Sequence, residues 1–172
     1  MYKVLGFLTG AVCATLVALL ARRMVIRKNG NPEYDERQTL VRGKAFQYGF
    51  YALLLYNAVY AMACAALERE LMEPMLSGLL GVYVGLLVLG LYTIWNGAFF
   101  PVGAPQRLKV WLWFVLGVVC TVLSARYAQS GAFVADGMLT LECLQPIAGG
   151  TFFVLGAAIL LRQRRDRREA DE

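Results

Sequence analysis

A chain of 172 residues that is 59% hydrophobic and only 17% charged, with its apolar residues gathered into runs, does not fit a soluble domain of that length and fits a multi-pass membrane protein. The formal charge of +5 does not point to nucleic acid, because the basic residues stand just outside the apolar runs and form no face interleaved with aromatics. The absence of histidine removes the commonest zinc ligand and general base, so no catalytic residue, metal site or cofactor is expected.

The first apolar run, Val4 to Ala21, is followed by Arg22, Arg23, Arg27 and Lys28, whereas Lys3 stands alone in front of it. A signal peptide carries its charge in front of its apolar core, so this run is expected to be a retained span with its N-terminus outside. Gly6 and Gly10 give it a small-xxx-small pair.

Residues 22–44 form the one long water-facing connection. Asn31 is expected to cap a helix with Pro32 at its first position, Glu33, Asp35 and Glu36 in its first turn, and Glu33 paired with Arg37. This helix is expected to run along the cytoplasmic interface and then continue or bend at Gly43 into a second span, 45–67. Asn57 falls near the middle of that span with Tyr60 on the same face. An amide there should seek a partner inside the bundle, and the pair reads either as a structural hydrogen bond between helices or as part of a ligand or ion path.

After the short turn Glu68 to Pro74, a third span is expected over 75–100, with Gly81 and Gly85 as its packing face and Pro101 to Pro105 as its breaker. A fourth span, 109–126, carries Trp111 and Trp113 at its start. Ala128 to Glu142 reads as a mixed loop, a fifth span covers 143–161, and 162–172 is a tail of both charge signs, read as disordered. Over the loops, lysine and arginine divide fourteen against three, which puts the C-terminus in the cytoplasm. The expectation is therefore an all-α integral membrane bundle of five transmembrane helices.

No carboxylate, lysine or arginine lies centrally in a span, as ion-coupled transporters usually require, and no Gly-x-Ser-x-Gly elbow is present. The four cysteines, Cys13, Cys64, Cys120 and Cys143, read as packing residues, with a Cys64–Cys143 disulfide left open. Glu68, Glu70, Glu73, Asp136 and Glu142 leave the outer face acidic. Such a face either gathers cations or is what the charge bias leaves behind.

The run Asp35-Glu36-Arg37-Gln38, followed by Arg42, Lys44, Phe46 and Tyr48 at the mouth of a span, resembles a motif of small multi-pass membrane proteins of unknown function from Gram-positive bacteria. The resemblance covers about 25 residues of this chain. It implies a bacterial plasma membrane and, through frequent association with small helix-turn-helix regulators, an accessory or regulatory role. In physical terms Asp35, Glu36, Arg37, Gln38, Arg42 and Lys44 either pair internally and anchor the helix to anionic headgroups, or present charge to a membrane or cytoplasmic protein partner. A homo-oligomer is compatible with either reading. The competing class is a small transporter or channel subunit with a path near Asn57, Tyr60, Gly81 and Gly85.

Overall fold

The computed structural model describes residues 34–100 and 106–171, apart from the side chains of 106–109 and 169–171. The first span, its Gly6 and Gly10, Cys13, Asn31, Pro32, Glu33 and the breaker 101–105 lie outside the described residues. The fold is that of the unit Asp35–Glu172. It is a helical bundle with, among the described residues, four helices long and apolar enough to cross a membrane.

The first helix, α1, spans Glu36–Leu67. It starts at Glu36 and not near Pro32, because Asp35 is its N-cap: the carboxylate accepts from the Arg37 backbone N–H at 3.0 Å. With no proline from Glu36 to Leu67, the helix passes Gly43 unbroken, so the charged turns 36–44 and the second apolar run are one helix, about 48 Å long at 1.5 Å per residue. It ends at Glu68 in the left-handed region (φ 52°), where the Arg69 N–H donates to the Cys64 carbonyl.

The second helix, α2, spans Pro74–Trp95, with proline in the first turn, where a missing N–H costs nothing. It stops five residues short of the expected Phe100. Gly97 adopts φ 68°, its N–H donates to the Ile94 carbonyl, and the Ala98 N–H donates to Thr93 at 2.8 Å, a Schellman ending that turns the chain back. Phe99 and Phe100 thereby leave the helix and pack on a cluster of Ile94, Val110, Leu155, Ala158 and Ile159.

The third helix, α3, spans Gln106–Gln129, longer at both ends than the expected 109–126. It closes with the same motif, Gly131 at φ 68° and the Ala132 N–H donating to Tyr127. The expected mixed loop that follows contains a hairpin, β1 (Val134–Ala135) and β2 (Met138–Leu139), joined by Asp136-Gly137. Both turn residues have positive φ, 52° and 76°, as a type I′ turn requires. A short 3-10 turn, Leu141–Cys143, leads into α4, Leu144–Asp171. The basic and acidic tail is thus helical to Asp171, and Arg162 and Asp166 pair at 2.9 Å one turn apart on it.

The bundle is built as two helical pairs, α1 with α2 and α3 with α4, joined by α2 against α4. Gly49 and Gly85 bring α1 and α2 together: a Cβ at Gly85 would stand 2.9 Å from the Gly49 carbonyl oxygen. In the second pair Gly117 receives Phe153 and Gly156 receives Phe114. The loops 68–73 and 130–143 meet at one end, where the Leu139 N–H donates to Leu71, the Glu73 N–H donates to Leu139, and the Glu73 carboxylate accepts from the Leu141 N–H at 3.1 Å. Outward surfaces are apolar: Leu55, Met62 and Val122 are 66%, 70% and 63% exposed, as suits a bundle solvated by acyl chains.

The glycine contacts are separable by substitution. Gly85→Ala must push backbone against backbone and is expected to destabilise the bundle by about 1–3 kcal/mol. Gly78→Ala meets nothing within 4 Å and should be neutral or stabilising; the gain is bounded at about 1 kcal/mol by helix propensity. Unfolding in mixed micelles of rising dodecyl sulfate fraction compares the two, and equal midpoints for both variants would show that the close approach carries no stability.

Candidate functional site

The motif residues sit at the end of the bundle opposite the hairpin, and two of them are used by the fold. Asp35 caps α1, and its backbone carbonyl also accepts from the Thr39 N–H and hydroxyl. Gln38 reaches 59 residues along the chain: its Nε2 donates to the Gly97 carbonyl at 3.0 Å and to the Phe100 carbonyl at 3.3 Å. Two carbonyl acceptors fix the orientation of the amide, since the opposite one would set oxygen against oxygen. Gln38 Oε1 is buried and holds no partner among the described residues.

Arg162 stands on the other side of the same turn. Its Nη2 would lie 3.9 Å from a Cβ at Gly97, and α2 has no basic residue in its own last turn. The guanidinium from α4 therefore supplies positive charge where the α2 dipole favours it. Its Nε is close enough to Asp166 for an ion pair although not aligned as a hydrogen bond.

Glu36, Arg37 and Lys44 are exposed, and among the described residues none of their side chains holds an ion pair or hydrogen bond. Arg42 is half-buried and has a partner. The motif thus divides into Asp35 and Gln38, which hold the helix start and the α2 turn, and three charges that face outward.

Within the α1–α2 pair the structure sets Asn57 against Gly81, where a Cβ would meet the Asn57 Nδ2 at 2.9 Å. Asn57 does not turn inward for a partner on another helix. Its Nδ2 donates to the Leu53 carbonyl one turn back, and the residue is exposed. Tyr60 donates to the Met72 carbonyl at 3.4 Å and stacks on Tyr56 at 6.2 Å, so Asn57 and Tyr60 form no mutual hydrogen bond. Cys64, Cys120 and Cys143 are free thiols, and Cys143 donates to the Phe133 carbonyl, so no Cys64–Cys143 disulfide is present.

Sequence reasoning missed three participants. Gly49, the partner of Gly85, could have been found from its spacing of four from Ala45, both buried here. Gly97 was signalled by Asn96-Gly97 at the end of an apolar run. Arg162 carried no such signal beyond its place at the end of a span. No family model, curated protein or solved structure matches the chain.

If Gln38 secures the α2 turn, Gln38→Leu should cost about 0.5–1.5 kcal/mol, the net worth of an ordinary hydrogen bond, because the Gly97 carbonyl that loses its donor is exposed. Asp35→Asn should be nearly silent and Asp35→Ala should cost about 1 kcal/mol, asparagine being an equal cap. Amide exchange over Gly97 to Phe100 reads the first effect directly: unchanged protection in Gln38→Leu would remove Gln38 from that role.

Proposed function

We propose that the chain is a non-catalytic integral membrane protein of a bacterial plasma membrane, acting as an accessory or regulatory component through helix packing and the charged start of α1. The observation that carries this reading is the position of α1 in its unit. It packs on α2 and has no comparable contact with α3 or α4 among the described residues. It therefore leaves Phe50, Tyr51, Leu54, Leu55, Val59 and Met62 exposed, with Glu36, Arg37 and Lys44 at its start. An apolar helix face left uncovered by the rest of its unit is a surface on which a further helix can pack. The alternative of a path along Asn57, Gly81 and Gly85 has less support, because that face is filled by α1 at backbone contact.

The same reading holds five spans with the N-terminus outside, supported by the charge bias and by an alternation that puts loops 68–73 and 130–143 on one side. In a background without native cysteines, engineered cysteines at Glu70 and Gln129 should react with an impermeant maleimide in intact cells, while those at Asn31 and Gln106 should not. Labelling at Asn31 overturns the orientation.

The partner role is tested with Asp35→Asn/Glu36→Gln, in which the cap survives and one outward charge is lost. Cross-linking from native membranes at matched expression should show selective loss of a protein that the wild type retains. An identical set of cross-linked proteins would leave the motif as a device for starting and anchoring α1.

A further inference from the structure

Helices α2 and α3 make no extended contact among the described residues, and the space between them is a cleft of about 490 Å³ whose third wall is the 3-10 turn and the first turns of α4. Its mouth carries Glu142, Gln145 and Tyr127, at the hairpin end of the bundle. Its depth carries Tyr83, Cys120, Ala148 and Phe152. Tyr83 lies nine residues into α2 and Phe152 eight residues into α4, so the lining extends about 12–14 Å along the helices from the hairpin end at 1.5 Å per residue.

The polar groups of this cleft differ from those nearby in being unused. Thr121 donates to the Gly117 carbonyl, Ser124 to Thr121, and the Glu73 carboxylate accepts from Leu141. By contrast the Glu142 carboxylate, the Gln145 amide and the hydroxyls of Tyr83 and Tyr127 have no hydrogen-bond partner among the described residues, and Glu142 has no ion pair there. A mostly apolar cleft of this size onto which a few unsatisfied polar groups converge has the make-up of a small-molecule site. Its one formal charge is negative, and Tyr127 at the same end supplies an aromatic ring, a group that attracts a cation.

We propose that this cleft binds a small amphipathic organic ammonium compound, the cationic head at Glu142 and Tyr127 and a flat apolar body running inward past Ala148 towards Tyr83 and Phe152. Charge complementarity selects the head, and the apolar depth selects the body. An anionic amphiphile meets an uncompensated carboxylate at the mouth and is rejected. The site is separate from the motif end of the bundle and does not depend on the accessory reading.

The test is equilibrium dialysis of radiolabelled phenylbutyltrimethylammonium against the full chain in phosphatidylglycerol nanodiscs, with empty discs subtracted. Saturable binding of one equivalent is expected, and no saturable binding of phenylbutyrate, which has the same body and the opposite charge. Glu142→Gln should weaken binding at least tenfold and Tyr127→Leu several-fold, while Glu70→Gln, which removes a charge from the same end away from the cleft, should leave it unchanged. Circular-dichroism melts matching the wild type confirm that the variants are folded. Equal binding of both probes, an unaffected Glu142→Gln or an equal loss in Glu70→Gln would overturn the proposal. Displacement of the probe when phosphatidylethanolamine replaces phosphatidylglycerol would assign the cleft to a lipid headgroup and overturn it too.

Discussion

The contact between Gly49 and Gly85 decides where α1 lies, and much of the fold's geometry follows. Side chains at those two positions would hold the helices apart, and the Tyr48–Tyr92 contact at 5.0 Å and the seating of Asn57 on Gly81 would both open. In acyl chains little hydrophobic force drives helices together, so close packing of backbones has to supply what burial supplies in water. The placement of α1 in turn brings Gln38 within reach of the α2 turn.

The helix ends obey a second constraint, that backbone groups near a membrane need partners. Three of the described helices end in left-handed residues, Glu68, Gly97 and Gly131, each followed by an N–H that closes on a carbonyl five residues back. At the hairpin end the loops satisfy one another through Leu71, Glu73, Leu139 and Leu141, a small mixed sheet with a carboxylate as its corner. Where α2 lacks a cation of its own, Gln38 and Arg162 attend its exposed carbonyl end.

The helices could be read from the sequence because eighteen or more apolar residues in a row have few other folds open to them. Their limits were less legible. Asn31-Pro32 offered a cap signal that competed with Asp35, and only the contact of the Asp35 carboxylate with the Arg37 N–H identifies the real start. The run to Phe100 hid the Asn96-Gly97 ending because Phe99 and Phe100 are as apolar as the span before them. Asp136-Gly137 is a hairpin signal in its own right, but strands of two residues give almost no alternation to support it. The bond from Gln38 to Gly97 joins residues 59 apart and no local pattern announces it. The division of the motif into structural and outward-facing residues is therefore legible in three dimensions alone.

The two fixed ends of α2 make it a rod of set length. Pro74 prevents growth in one direction and Gly97 stops it in the other, so 22 residues give about 33 Å at 1.5 Å per residue. A helix with softer ends answers a thicker or thinner bilayer by winding or fraying a turn. This one has both ends fixed, and against a hydrocarbon core of about 30 Å it is long enough to cross with some tilt. Because α2 packs against both α1 and α4, any tilt it takes up has to be matched by those two helices at their contacts with it.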